Sequence, residues 1–115
     1  MAIATFTLNE LSEALSTADI SAGDSILVHS SLMHLGRLDE CSTSDMPEAI
    51  VNVLLETLNP NGTLVTLAPF YDYSNNGVPF DMHRSPVSPD VGVLNAAIAA
   101  HPGAERSANP IFSLA

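Results

Sequence analysis

Positive charge is scarce in this sequence, which has no lysine and three arginines. Thirteen acidic residues outnumber the arginines and give a formal net charge of −10 at pH 7. Nucleic acids and anionic membranes attract basic surfaces, so the charge balance argues against both as partners. Most of the carboxylates are expected to form a solvated acidic surface. The candidate side chains for binding an anionic ligand are therefore Arg37, Arg84 and Arg106.

Cysteine and long apolar runs are also rare. Because Cys41 is the one cysteine, no internal disulfide can form, which suits a reducing compartment. No apolar run reaches the ~20 residues that span a bilayer. The first residues also lack the basic segment and apolar core of a signal peptide. We therefore expect a cytoplasmic protein without a membrane partner.

The composition is otherwise that of a folded protein. The apolar fraction is 46% and the charged fraction 14%, whereas disordered chains have low hydrophobicity and high charge. A chain of 115 residues is large enough for one core. We expect a single domain over residues 1–115.

Three helices are predicted from their first residues and their apolar stripes. Thr7 and Glu10 form a capping-box pattern that predicts a helix over residues 8–17. Asp45 predicts the N-cap of a second helix, and Ser88 with Pro89 predicts the start of a third. The inner faces are predicted to carry Met46, Ile50, Val53, Leu54 and Leu58 in the second helix, and Val91, Leu94 and Ile98 in the third.

Apolar runs predict strands at Ser25–His29 and Thr63–Ala68, and a partial strand at Ile111–Ala115. The side chains of Ile26, Leu27 and Val28 are expected to be buried on both faces of a sheet. The alternation with helices predicts an α/β fold, layered α/β/α, with a largely parallel or mixed sheet. Because an apolar run reaches the last residue, we expect an incomplete version of that fold.

The first candidate site follows the first long strand. Open α/β sheets bind ligands outside the carboxyl ends of their strands, and His29, Ser30 and Ser31 stand there with an imidazole and two hydroxyls. The alternative is turn chemistry, in which the serines bond the local backbone and the histidine is half-buried. The residues alone leave both interpretations open.

The second candidate site lies in the irregular stretch 69–89. Long loops are usually functional or disordered, and the aromatic residues argue against disorder. Tyr71, Asp72 and Tyr73 can line a polar pocket in which a carboxylate pairs with a cationic amine. Alternatively, the loop packs its own aromatic rings onto the domain. Arg84 and Arg106 occupy irregular segments, which favours anion binding.

Other classes of site lack support. The four histidines show no metal-ligand spacing such as His-x-x-x-His. The sequence has neither the Gly-x-Ser-x-Gly elbow of serine hydrolases nor a phosphate-binding glycine loop. We therefore assign neither a metal ligand nor a catalytic residue.

Several motifs recur in the order and spacing of one enzyme family. They are Gly23–Leu32, Leu35–Arg37, Asn61–Val65, Phe80–Pro86 and Arg106–Ser113. With them the sequence resembles the amino-terminal part of the aminoglycoside 3-N-acetyltransferase family. The resemblance implies a three-layer α/β/α fold and transfer of an acetyl group from acetyl-coenzyme A to an amine. In that reaction the amine of an aminoglycoside or amino sugar attacks the thioester directly.

The resemblance also implies roles for individual residues. The coenzyme-binding set is His29, Ser30, Ser31, Leu32, Arg37, Ser107 and Ser113. We expect the acceptor-binding set to be Tyr71, Asp72 and Arg84. Asn109 stands where the family commonly has histidine, which leaves the acceptor open. The family's general base, a histidine supported by a carboxylate, matches no residue here.

The expected function is that of an acetyl-coenzyme A-dependent N-acetyltransferase, with this chain as a coenzyme-binding portion that lacks the base. Its expected partners are coenzyme A and an amine-bearing small molecule. The alternative is a non-catalytic acetyltransferase-like module for binding or oligomerisation, because an incomplete sheet leaves an edge that a second copy can pair with.

Overall fold

Short helices and strands alternate along residues 5–109 and 113–115, which are the residues that the computed structural model describes. The strands are β1 (Thr5–Phe6), β2 (Ser25–Leu27), β3 (Arg37–Leu38) and β4 (Thr63–Val65). The helices are α1 (Leu8–Thr17), α2 (Leu32–Leu35), α3 (Met46–Leu58), α4 (Tyr71–Asn76) and α5 (Val93–Ala99), with a 3₁₀ turn at Pro89–Val91.

The strands pair in parallel, as the alternation predicts. β1 pairs with β3 and β2 pairs with β4, so the described residues form two separate two-stranded sheets. A further segment runs antiparallel to the continuation of β4 through the pair of Leu67 and Leu114. Ile111 and Phe112 of the predicted last strand lie outside the described residues. The architecture is a partial α/β fold.

The core forms around α3. The predicted stripe of this helix is confirmed, because Met46, Ile50, Val53, Leu54 and Leu58 are all buried. Leu94 and Ile98 of α5 and Leu38 of β3 complete the cluster, against which parts of α1 and the β2–β4 sheet also pack. Burial stabilises by about 1.5–3 kcal/mol for each large apolar side chain. The helices are therefore held mainly by α3.

The expectation that β2 is buried on both faces is wrong. Ile26 and Val28 pack against the α3 core, whereas the side chain of Leu27 is 65% exposed. Successive side chains of a strand point to opposite faces. One face of β2 therefore lies on the α3 core, and Leu27 on the other face is mostly exposed.

The predicted caps of the first two helices have different outcomes. The Thr7 hydroxyl accepts a hydrogen bond from the Glu10 N–H at 3.1 Å, as predicted, and the Leu8 N–H donates to a carboxylate oxygen of Glu40. The predicted side-chain cap by Asp45 is wrong. Its carboxylate accepts instead from the Ser42 hydroxyl at 2.9 Å, and α3 begins without a side-chain cap.

The stretch before the core part of α5 also differs from the prediction. Ser88 and Pro89 do open a helical turn, but it is a short 3₁₀ turn, and the Ser88 hydroxyl makes no cap bond because it accepts from the Tyr71 N–H at 2.8 Å. The 3₁₀ turn ends at Gly92, whose φ of 101° interrupts the helix before α5 begins. The irregular stretch 69–89 is itself partly helical, since it contains α4.

Gly62 allows the end of α3 to lie against the start of β4. A Cβ on this residue would lie 2.6 Å from the Leu58 Cβ and 2.8 Å from the Asp24 carbonyl oxygen. Real Cβ atoms do not approach so closely, and the close-packed backbone cannot move away cheaply. The Gly23 N–H also donates to the Leu58 oxygen at 2.9 Å. Glycine at position 62 therefore fixes the distance between α3 and the sheet.

Candidate functional site

The topology brings several predicted site residues to one end of the β2–β4 sheet. Because the two strands are parallel, their carboxyl ends lie at the same edge. His29 follows β2 there, and Ala68 follows β4. The Ala68 N–H donates to the Ser113 carbonyl oxygen at 2.8 Å. The segments around His29 and Ser113 thus share the edge at which open α/β sheets bind ligands.

Ser30 is notable within the first segment because its hydroxyl oxygen is buried and has no hydrogen-bond partner among the described residues. A buried hydroxyl without a partner costs free energy, so such groups usually meet water or a ligand. The Ser30 backbone lies against the start of α5, since a Cβ on Gly92 would be 3.5 Å from the Ser30 oxygen. The segment is thus held close to the core.

The neighbours of Ser30 have different environments. His29 is exposed, and Leu32 begins α2 and packs half-buried against the core. The Ser31 hydroxyl lies 3.0 Å from Nδ1 of His34, within hydrogen-bond distance. Arg37 is exposed on β3, where its backbone pairs with Thr5. An imidazole, a hydroxyl and a guanidinium are therefore exposed within residues 29–37.

Ser107 and Ser113, both predicted to bind the coenzyme, are brought together. The fully buried Ser113 hydroxyl donates to the Ser107 carbonyl oxygen at 3.1 Å. The Ser107 hydroxyl accepts from the Leu114 N–H at 3.0 Å, and the Ser107 N–H donates to the Leu114 oxygen at 2.8 Å. The two serines therefore form one folded unit.

Arg106 holds three segments together. Its Nε donates to the Ser113 hydroxyl at 3.1 Å, its Nη2 to the Ala68 carbonyl oxygen at 2.6 Å, and its Nη1 to the Ser85 carbonyl oxygen. The guanidinium also lies 5.0 Å from the centre of the Phe80 ring, which is a cation–π distance. We name this set of contacts the Arg106 cluster.

The earlier interpretation of Arg106 as an anion ligand therefore needs correction. Burial lowers the pKa of its guanidinium from the usual value, because partial removal from water disfavours the charged form. The hydrogen bonds to Ala68, Ser85 and Ser113 compensate for that loss of hydration. The arrangement indicates a structural role for this arginine.

The three predicted acceptor-binding residues lie on and after α4. Tyr71 is 39% exposed, and its N–H is fixed by Ser88. The Asp72 carboxylate is exposed and accepts from the Asn76 side chain at 3.0 Å. Arg84 is exposed in a turn in which its N–H donates to the Asp81 oxygen at 3.2 Å. These side chains present a carboxylate, a phenol and a guanidinium to solvent.

Two buried polar side chains escaped the sequence analysis. Asn95 is fully buried in α5, where its Nδ2 donates to the Leu67 carbonyl oxygen at 2.8 Å. Its Oδ1 has no partner among the described residues. Thr66 is also fully buried, and its hydroxyl donates to the Val28 oxygen at 3.1 Å. The available signal in the sequence was Asn95, whose side-chain amide occupies a core position of the predicted third helix.

The described part of the chain has neither a cluster of metal ligands nor a membrane-spanning helix. Residues 5–109 and 113–115 contain no group of three or more His, Cys, Asp or Glu side chains placed to hold a metal ion. No helix among them has the length and apolarity required to cross a membrane.

A cleft of about 610 Å³ lies away from the His29 segment. It is bordered by α3, β4, α5 and the chain around Arg106 and Leu114. A second cleft, of about 580 Å³, lies between α5 and residues 82–87. Neither is lined by His29, Ser30, Ser31 or Leu32. The His29–Leu32 segment is thus a surface edge separate from the two clefts, whereas Ser107 lines the first cleft.

The comparisons with known proteins agree on one family. A sequence model described as "Aminoglycoside 3-N-acetyltransferase" matches residues 27–115. Aminoglycoside N(3)-acetyltransferase IV from Salmonella sp is 35% identical over 101 residues, which are 88% of this chain and 36% of that protein.

Solved structures give the same result. AAC-IIIb in a binary complex with CoASH matches with a TM-score of 0.78 at 29% identity, covering 96% of this chain and 45% of its own. A mutant of AAC(3)-IVa in complex with gentamicin matches with a TM-score of 0.80 at 31% identity, covering 100% of this chain and 42% of its own. The chain spans less than half the length of these relatives. It belongs to the aminoglycoside 3-N-acetyltransferase family.

Proposed function

We propose that this chain supplies the coenzyme-binding part of an acetyl-coenzyme A-dependent N-acetyltransferase that acts on aminoglycoside or amino-sugar amines. The observation that carries the proposal is the family match from residue 27 onwards, which includes the whole segment His29–Leu32. A solved relative that matches 96% of this chain is bound to CoASH. The proposed location is cytoplasmic, where acetyl-coenzyme A is available.

The proposed coenzyme contacts follow from the donors at the carboxyl edge of the sheet. As an amine attacks the thioester, the carbonyl oxygen becomes negative, and preorganised donors stabilise that charge. The unpartnered Ser30 hydroxyl and the exposed groups of His29 and Ser31 are such donors. Arg37 is exposed and able to bind a coenzyme phosphate. Leu32 packs beneath them and holds the segment in place.

The proposed roles of Ser107 and Ser113 differ. The Ser107 hydroxyl accepts one hydrogen bond from within the chain, which leaves its proton for the coenzyme. Ser113 is fully buried, and its proton already bonds Ser107. We therefore assign Ser113 a positioning role that acts through Ser107.

The proposed acceptor is a polycationic amine. The net charge of −10 attracts such a ligand. Asp72 offers a carboxylate for an ammonium group, Tyr71 offers a ring and a hydroxyl, and Arg84 offers hydrogen bonds to acceptor hydroxyls. The gentamicin complex of a relative supports this class of acceptor.

Binding, rather than proton transfer, is the proposed contribution of this chain. We propose that the family's supported histidine has no counterpart among these residues, and we therefore expect acetyl transfer by this chain alone to be undetectable against a panel of aminoglycosides. Robust acetylation of any member would contradict that expectation.

Isothermal titration with coenzyme A tests the binding proposal. We expect measurable heat for the native chain, at least fivefold weaker binding for Ser30→Ala, since a lost hydrogen bond costs about 1 kcal/mol, and unchanged binding for Ser16→Ala on α1. Absence of heat at millimolar coenzyme A would refute the proposal. Equal affinity of Ser30→Ala and Ser16→Ala would remove Ser30 from the site.

The exposed Leu27 side chain favours a second candidate, a module that self-associates through the face of β2 opposite α3 without binding coenzyme A. Light scattering distinguishes the candidates. A dimer that Leu27→Lys dissociates, without coenzyme affinity, favours the second, and a monomer that binds coenzyme A favours the first.

A further inference from the structure

Two buried side-chain oxygens lack a hydrogen-bond partner among the described residues, namely Ser30 Oγ and Asn95 Oδ1. Asn95 is fully buried, so bulk water does not reach its amide. An unpaired polar atom in the interior costs free energy, and in native proteins such atoms are usually met by an enclosed water or a ligand. The chemistry of both oxygens therefore calls for a small polar partner.

Contacts at the end of the sheet bring Asn95 close to the segment of Ser30. β2 and β4 stay in contact as far as Val28, whose carbonyl oxygen accepts from the Thr66 hydroxyl at 3.1 Å. One residue further along, the Leu67 carbonyl oxygen accepts from Asn95 Nδ2 at 2.8 Å. Ser30 follows Val28 by two residues on the neighbouring segment. The Asn95 amide thus lies where the backbone pairing of the two strands ends.

The start of α5 places the same two residues together from the other side. A Cβ on Gly92 would lie 3.5 Å from the Ser30 carbonyl oxygen, so the Ser30 backbone is close to the residue that precedes α5. Asn95 follows Gly92 by three residues, which is less than one helical turn. The two oxygens are not bonded to each other, since neither has a partner among the described residues. A link between them needs an intermediate molecule.

We propose that Asn95 is a positioning residue for the coenzyme edge, and that one enclosed water joins its Oδ1 to the Ser30 hydroxyl. Buried waters typically make about three hydrogen bonds to polar groups that are otherwise unpaired. The positioning role rests on the proposed binding of coenzyme A. The water link itself does not depend on the coenzyme.

The orientation of the Asn95 amide determines how the link acts. Nδ2 donates to the Leu67 carbonyl oxygen, which fixes the other end of the amide as an acceptor. The water therefore donates one proton to Oδ1 and has a second proton for Ser30 Oγ. A Ser30 hydroxyl that accepts from the water keeps its own proton for the thioester oxygen of the coenzyme, where negative charge develops.

Nuclear magnetic resonance of the full chain tests the water link without any coenzyme. We expect nuclear Overhauser effects between a long-lived water and the side-chain amide of Asn95. Ser30→Ala should abolish them, because the water loses one of its partners. Ser31→Ala is the matched control and should leave them unchanged, since the Ser31 hydroxyl lies 3.0 Å from Nδ1 of His34. Absence of the effect in the native chain, or its persistence in Ser30→Ala, would overturn the link.

A double-mutant cycle on coenzyme A affinity, measured by calorimetry, tests the positioning role. Asn95→Leu nearly retains the size of the side chain and removes its oxygen. We expect it to weaken binding about threefold in the native background and to have no effect once Ser30 is alanine. Equal weakening in both backgrounds would indicate a purely structural role and would overturn the proposal. Asn52→Leu, at an exposed position of α3, is the control and should leave the affinity unchanged.

The two experiments also distinguish the failure of this proposal from the failure of coenzyme binding. A native chain that shows the water signal but gives no heat with coenzyme A would refute the proposed function and the positioning role, while the link would stand. A chain that binds coenzyme A without the water signal would overturn the link and leave the proposed function intact. If Asn95→Leu does not fold, the spectrum of Ser30→Ala still decides whether the link exists.

Discussion

The α3 core and the Arg106 cluster hold the same small protein together by different means. In the α3 core, apolar side chains spaced along α3 pack against α5 and the β2–β4 sheet. In the Arg106 cluster, one guanidinium joins the chain after β4 at Ala68, the turn before Pro86 and the segment at Ser113. Regular elements bury a face, whereas irregular segments need a donor that reaches their carbonyl oxygens. Local order therefore does not require regular secondary structure.

Loss of a large side chain from the α3 core should have the greatest effect. We expect Leu54→Ala to lower the free energy of unfolding by about 2–5 kcal/mol, because it leaves a cavity as well as losing burial. Leu27→Ala, which truncates a leucine that is 65% exposed, should cost less than about 1 kcal/mol. Urea unfolding followed by circular dichroism measures both. Equal losses would show that α3 is not the centre of the core.

The second largest loss of stability is expected from a steric clash between α3 and the sheet. Gly62→Ala places a Cβ 2.6 Å from the Leu58 side chain and 2.8 Å from the Asp24 oxygen, and we expect a loss of about 3 kcal/mol. Gly103→Ala is the matched control, since its Cβ would meet His101 atoms at ordinary distances of 3.7 and 3.8 Å. Thermal melting of the two variants gives the comparison. A Gly62→Ala protein as stable as the control would contradict the packing described.

Arg106→Met removes the guanidinium while retaining much of the side-chain volume. We expect it to lower the free energy of unfolding by about 2–3 kcal/mol, because three acceptors are left without a donor. Arg106→Lys should recover only part of the loss, since an ammonium cannot match the planar fork. Arg84→Met, which changes an exposed arginine, provides the control. If Arg106→Met and Arg84→Met unfold at the same urea concentration, the cluster does not stabilise the fold.

The features that sequence predicted well are local ones. The Thr7 cap and the stripe of α3 were predictable because each depends on residues a few positions apart. The predicted side-chain cap by Asp45 is wrong because the Ser42 hydroxyl bonds its carboxylate. The third helix does not run on without a break from Ser88 and Pro89 because Gly92 adopts a positive φ. In both cases a neighbouring residue overrides the usual pattern.

The features that sequence could not predict depend on distant residues. Arg106 bonds carbonyl oxygens 21 and 38 positions away, and backbone acceptors carry no residue-type signal. The position of His29 and Ser30 at a strand end was predictable from the apolar run before them. The burial of the Ser30 hydroxyl was not, because it depends on the packing of this segment against the start of α5. The motifs located the candidate edge, and the fold gave the environment of each group.

The central claim is that the carboxyl edge of the β2–β4 sheet binds coenzyme A, and mapping amide chemical shifts during a coenzyme A titration tests it most directly. The account predicts saturable shifts at His29, Ser30, Ser31 and Ser107, with Ser16 on α1 unchanged. It also predicts that Ser30→Ala reduces the shifts at its neighbours without altering the rest of the spectrum. Shifts that are absent at millimolar coenzyme A, or that are confined to α1, would contradict it.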